Sequence, residues 1–89
     1  MPRVCEFYGI AIYLYFADTN RHSSPHFHAK YGGDEATYSI PDGDRLAGSL
    51  PKRQERLVQG WAALRAAELE LAWNRAVNME APGKIEPLS

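Results

Sequence analysis

Apolar and polar positions alternate with a period of two through the first half of the chain, which predicts strands. Residues 3–8 form a short mixed segment that Gly9 punctuates. Residues 10–16 follow as the clearest strand, with Ile10, Ile12, Leu14 and Phe16 on one side and Ala11, Tyr13 and Tyr15 on the other. Gly9 suits a tight turn, so these two segments are expected to pair as a hairpin. A polar loop, Asp-Thr-Asn-Arg-His-Ser-Ser-Pro, covers 18–25. Alternation resumes at 26–31, with Phe27, Ala29 and Tyr31 facing one way and His26, His28 and Lys30 the other. Gly32, Gly33 and Asp34 supply a second turn. Residues 35–40 then place Ala36, Tyr38 and Ile40 on one face. The stretch 45–50 reads as an edge strand or a plain connection.

The period changes after Pro51. Between Lys52 and Val77 there is no proline and one glycine, Gly60, and alanine, leucine, glutamate and arginine dominate, which are good helix formers. Ser49 is a candidate cap, and Pro51 fits a first helical turn. Leu57, Trp61 and Leu64 mark one apolar stripe, and Leu69, Ala72, Trp73 and Val77 a second. The five-residue step from Leu64 to Leu69 breaks the i, i+3, i+4 rhythm. The prediction is therefore one bent helix or two helices, over 51–65 and 66–78. The fold class is α+β: a small antiparallel sheet of three to four strands (3–8, 10–16, 26–31 and 35–40) followed by C-terminal helix. Residues 1–80 form one domain. Residues 81–89, with two prolines and a glycine, read as a flexible tail.

Size and charge narrow the functional classes. A chain of 89 residues holds one domain whose core is small, so a partner or an oligomer covering apolar surface would help it. Ten basic against eleven acidic residues give a net charge of −1, and no global attraction to nucleic acid or anionic membrane. The single cysteine, Cys5, excludes an internal disulfide and reads as a small buried apolar residue. No leader-like segment or membrane-length apolar run is visible, and the expectation is a cytoplasmic protein.

The sharpest chemical feature is Pro25-His26-Phe27-His28. Residues two apart in a strand point the same way, so His26 and His28 stand side by side. They could ligate one divalent ion such as zinc, with His22 from the preceding loop as a third candidate, or act as an acid–base pair near neutral pH. Tyr13, Tyr15 and Lys30 are expected on the same outer face, joined by Glu35, Thr37 and Ser39. The plainer alternative is the wet face of an ordinary antiparallel sheet. No cofactor motif is present: Gly32-Gly33 is a turn, not a phosphate loop. Arg45, Lys52, Arg53, Arg56 and Arg65, offset by Glu55, form a second candidate surface able to meet phosphates, or simply a solvated helix start. Trp61 and Trp73 read as core residues.

Several of these segments together resemble a known family. They are Met1-Pro2-Arg3-Val4, the aromatic second strand, Ser24 to Tyr31 followed by Gly32 to Ala36, Gly48-Ser49-Leu50-Pro51-Lys52-Arg53, Leu57-Val58, Trp61, and Glu68-Leu69 through Trp73. The chain is similar over 1–77 to domain-of-unknown-function family 4160, whose most characteristic element is Pro-His-x-His before a glycine-containing turn. The carried-over motif residues are Pro25, His26, His28 and the stretch from Leu50-Pro51 to Arg56. The resemblance implies a small bacterial protein, often encoded beside a protein of domain-of-unknown-function family 2442, in an arrangement for which toxin–antitoxin status has been suggested. It implies no activity and no site. Three readings follow. The first is a protein-interaction module acting with a partner. The second is a ribonuclease-like or metal-dependent hydrolase in which His26, His28 and Lys30 are the catalytic candidates. The third is a nucleic-acid-binding module using Tyr13 and Tyr15 for stacking and Lys30 and Arg53 for phosphates.

Overall fold

The computed structural model describes residues 3–15 and 24–88. Five strands follow one another in space as in sequence: β1 (Arg3–Phe7), β2 (Ile10–Tyr13), β3 (His26–Tyr31), β4 (Asp34–Ser39) and β5 (Arg45–Gly48). All neighbours are antiparallel, in the order β1-β2-β3-β4-β5. The β1–β2 turn has just two residues, Tyr8 (φ 50°) and Gly9 (φ 78°), between the paired Phe7 and Ile10. Both φ values are positive, as the tightest hairpin turn requires.

The sheet has five strands rather than the three or four expected. Arg45–Gly48 pairs with β4 across a register shift between Thr37 and Tyr38, and all four of its residues are exposed. A strand buried on neither face leaves no alternation to read. The expected 10–16 strand is also shorter. Leu14 is buried and Tyr15 half-buried, so the in–out alternation continues past the strand end, whereas Phe16 lies outside the described residues.

Two helices, α1 (Lys52–Leu64) and α2 (Ala66–Val77), meet at Arg65, whose φ of −109° and ψ of 22° break the helical path. The break follows from the rhythm of burial. Val58, Trp61 and Ala62 face the core from α1, and Leu69, Ala72, Trp73 and Ala76 from α2. Leu64 and Val77, expected in the apolar stripes, are 66% and 48% exposed. Ala62 and Ala76 are buried in their stead. Ser49 does not cap α1; Pro51 occupies that position and no side chain bonds to the turn.

The core lies between the helices and one face of the sheet. Trp61 is fully buried and its ring lies 5.4 Å from Phe7 and 5.7 Å from Phe27. Cys5 is buried, and burial pushes its thiol up from the ordinary value, as suits a packing residue. Residues 84–87, in the segment that composition marks as a flexible tail, run beside β1. The Ile85 amide donates to the Val4 carbonyl (2.7 Å), and the Trp61 indole N–H donates to the Glu86 carbonyl (2.8 Å). Among the described residues no helix is long and apolar enough to cross a membrane.

Beneath the sheet, the buried Tyr38 hydroxyl donates to Glu55 Oε2 at 2.9 Å, and Arg45 Nε lies 3.7 Å from the same oxygen. Burial, then the hydrogen bond and the charge of Glu55, hold the phenol well above its ordinary value of 10.0, against a smaller lowering by Arg45. The folded state therefore keeps a proton that the unfolded chain loses above about pH 10, and stability falls as pH rises past that point. Urea midpoints should be level to about pH 9 and drop by pH 11, and Tyr38→Phe should flatten that drop. An identical alkaline slope in both proteins would refute this role for Tyr38.

Candidate functional site

The helices cover one face of the sheet, and the register fixes what the other presents. Phe27, Ala29, Ala36 and Tyr38 point into the core, so their neighbours point outward. Cross-strand pairing then lines up rows on the outer face: Tyr13 beside His28 beside Thr37, and Ala11 beside Lys30 beside Glu35. His26 pairs with Ser39.

These side chains touch in sequence. Lys30 Nζ lies 5.1 Å from the centre of the Tyr13 ring, a cation–π distance. Tyr13 and Tyr15 are stacked with centres 5.9 Å apart and planes 6° apart. Tyr15 lies 4.6 Å from His28, and His28 5.3 Å from His26. The ladder ends on Trp73 of α2, 5.3 Å from His26. All of the outer-face members are half-buried.

Hydrogen bonds orient the two imidazoles. His26 Nδ1 lies 2.8 Å from the Ser24 carbonyl. A carbonyl only accepts, so Nδ1 carries the proton and the neutral ring is the Nδ1–H tautomer. His28 Nδ1 lies 3.3 Å from Thr37 Oγ1 and 3.5 Å from Glu35 Oε2. Lys30 and Glu35 contribute one charge of each sign, which leaves the face near electrical balance.

The candidates thus divide. Tyr13, Tyr15, His26, His28 and Lys30 come together on the outer face. Lys30 stands over Tyr13, two residues beyond His28 on the same face of β3, as His26 is two residues before it. Lys52, Arg53 and Arg56 start α1, on the opposite side of the sheet, and do not join that face. Arg45 is held by Glu55, and Arg65 sits at the helix junction 3.8 Å from Glu68. His22 lies outside the described residues. Among the described residues no group of three or more His, Cys, Asp or Glu side chains is placed to hold one ion. Sequence reasoning missed the outward contact of Trp73. It is a core residue, 7% exposed, yet its ring also meets His26, and no sequence signal links positions so far apart.

No curated protein and no solved structure matches the chain. A family model does match, over residues 9–74, and that span takes in β2 to β5, the Pro-His-x-His strand and nearly all of both helices. With most of its 89 residues covered, the chain belongs to the family described as a domain of unknown function, DUF4160.

Proposed function

We propose that the domain is a protein-interaction module that binds a partner protein through the outer face of its sheet, as one member of a toxin–antitoxin-like pair in the bacterial cytoplasm. The carrying observation is the ladder Lys30–Tyr13–Tyr15–His28–His26 on the face away from the helices, which ends where His26 meets the core residue Trp73 of α2. Aromatic rings locked against one another lose little entropy on binding, and Tyr and Trp dominate interface hot spots. The near balance of Lys30 and Glu35 favours protein over nucleic acid, since a phosphate backbone calls for a row of cations. The genomic neighbourhood that the family implies makes a protein of domain-of-unknown-function family 2442 the first partner to test.

The two proteins should form a complex that co-elutes from a sizing column. Tyr15→Ser and His28→Ser, kept folded by the core face, should each weaken it at least about tenfold, the scale of a hot-spot residue. A chain that stays a monomer beside that protein, and captures no other protein in a dependence on Tyr15, overturns the proposal. Retention of RNA that declines with salt would favour the nucleic-acid reading instead.

A second reading rests on the histidine pair. His26 is held in one tautomer by Ser24, and His28 lies 5.3 Å away beside a carboxylate, an arrangement able to pass protons in a ribonuclease-like or metal-dependent hydrolysis. Strand cleavage by the wild type that a folded His26→Ala, His28→Ala variant lacks would put this reading first.

A further inference from the structure

On the helix side, away from the ladder, a cleft of about 560 Å³ opens between the β1–β2 turn and α1. That volume falls within the range of small-molecule sites. Its walls are Tyr8, Arg53, Gln54, Leu57 and Leu88. Leu57 and Leu88 are half-buried against the core and make the cleft's floor apolar.

Two features of the lining have no evident structural purpose. The first is Tyr8. It holds the left-handed conformation (φ 50°) at a turn position where asparagine, aspartate or glycine costs least. The residue is 59% exposed, and its ring touches Phe7 edge-on with centres 6.2 Å apart. The chain thus accepts backbone strain to stand a large aromatic ring at the cleft, and strain of this kind gathers at functional positions.

The second is the unanswered charge of Arg53. Among the described residues it makes no ion pair. The acid in its own turn, Glu55, is engaged by Tyr38 and Arg45. Lys52 and Arg56 add two more cations near the positive end of the helix dipole, where cations are unfavourable.

From this convergence we propose that the cleft binds a small organic anion: a flat apolar body lying on Leu57 and Leu88 against the Tyr8 ring, with a carboxylate or phosphate on the Arg53 guanidinium. The Gln54 amide, which both donates and accepts, reads a second polar group on the ligand. The site is separate from the outer sheet face and operates whether or not that face binds a partner.

The test is a titration of the ¹⁵N-labelled full chain followed by two-dimensional NMR. The probes are 2-naphthoate, the neutral 2-naphthalenemethanol, and inorganic phosphate. 2-Naphthoate should give saturable shifts confined to residues 7–9, 53–57 and 86–88 and the Gln54 side-chain amide. The alcohol and inorganic phosphate should each bind at least about tenfold more weakly, because one lacks the charge and the other the apolar body. Arg53→Gln should cost 2-naphthoate about tenfold. Tyr8→Asn supplies the residue the turn prefers, so it should fold at least as stably while binding more weakly. Equal binding of acid and alcohol, unchanged affinity in folded Arg53→Gln, or shifts centred on His26 and His28 would each overturn the proposal. So would phosphate binding as tightly as 2-naphthoate.

Discussion

Replacing Trp61 with alanine should remove about half of the domain's stability, a loss of about 3–5 kcal/mol. Trp61 is the largest fully buried side chain and sits where α1 meets the sheet, against Phe7 of β1 and Phe27 of β3. Its truncation removes the transfer energy of the indole and leaves a cavity walled by rigid rings that cannot collapse into it. The whole stability of an 89-residue chain is on the order of 5–10 kcal/mol. The substitution also releases the Glu86 carbonyl from the indole N–H. Trp61→Phe separates the two effects: it keeps most of the volume and loses the hydrogen bond, so it should cost about 1–2 kcal/mol and speed proteolysis within 84–88. Urea unfolding followed by circular dichroism, with limited proteolysis of Trp61→Phe, checks both. A Trp61→Ala protein within about 1 kcal/mol of wild type would mean that Trp61 does not hold helix to sheet.

The parts of the fold visible in the sequence are those where burial imposes a period. β3 and β4 read correctly because one face is packed and the other is not, so Phe27, Ala29, Ala36 and Tyr38 alternate with His26, His28, Lys30 and Thr37. The helix break was foreshadowed by the step from Leu64 to Leu69, although Leu64 itself turned out exposed, since a leucine in a periodic run need not be the residue that packs. β5 reads in the sequence as either an edge strand or a plain connection, because a strand exposed on both faces is held by its backbone ladder and shows no period.

Much the same divides the candidate site. The grouping of Tyr13, Tyr15, His26, His28 and Lys30 follows from strand alternation together with the order of the strands. The separation of Lys52, Arg53 and Arg56 from that group does not, because it depends on which face the helices cover. Neither the contact of Trp73 with His26 nor the cleft beside Tyr8 has a local signature. Each joins residues from separate elements, and only the packed arrangement of hairpin, helix and C-terminal segment brings them together.

The second large effect should come from the smallest side chain in β5. Gly48 has a φ of +69°, which costs an alanine about 1 kcal/mol before any contact is counted. Space is the graver problem. A Cβ at this position would collide with the Glu35 carbonyl and lie 3.0 Å from the Ala36 Cα. Both obstacles are backbone of β4, so no rotamer change relieves them. Gly48→Ala must push β5 off β4 or lose the pairing of Gly48 with Ala36, at a total of about 3 kcal/mol. Because Arg45 begins the same strand and reaches Glu55, displacing β5 should also loosen the buried Tyr38–Glu55 contact. Gly33→Ala, at a turn position with nothing within 4 Å of the new methyl, is the matched control and should change stability by less than about 1 kcal/mol. Amide exchange adds the spatial readout: protection should fall in β4 and β5 of Gly48→Ala and persist in β1 and β2. A Gly48→Ala protein as stable as Gly33→Ala would show that the closeness of β5 to β4 is not needed by the fold.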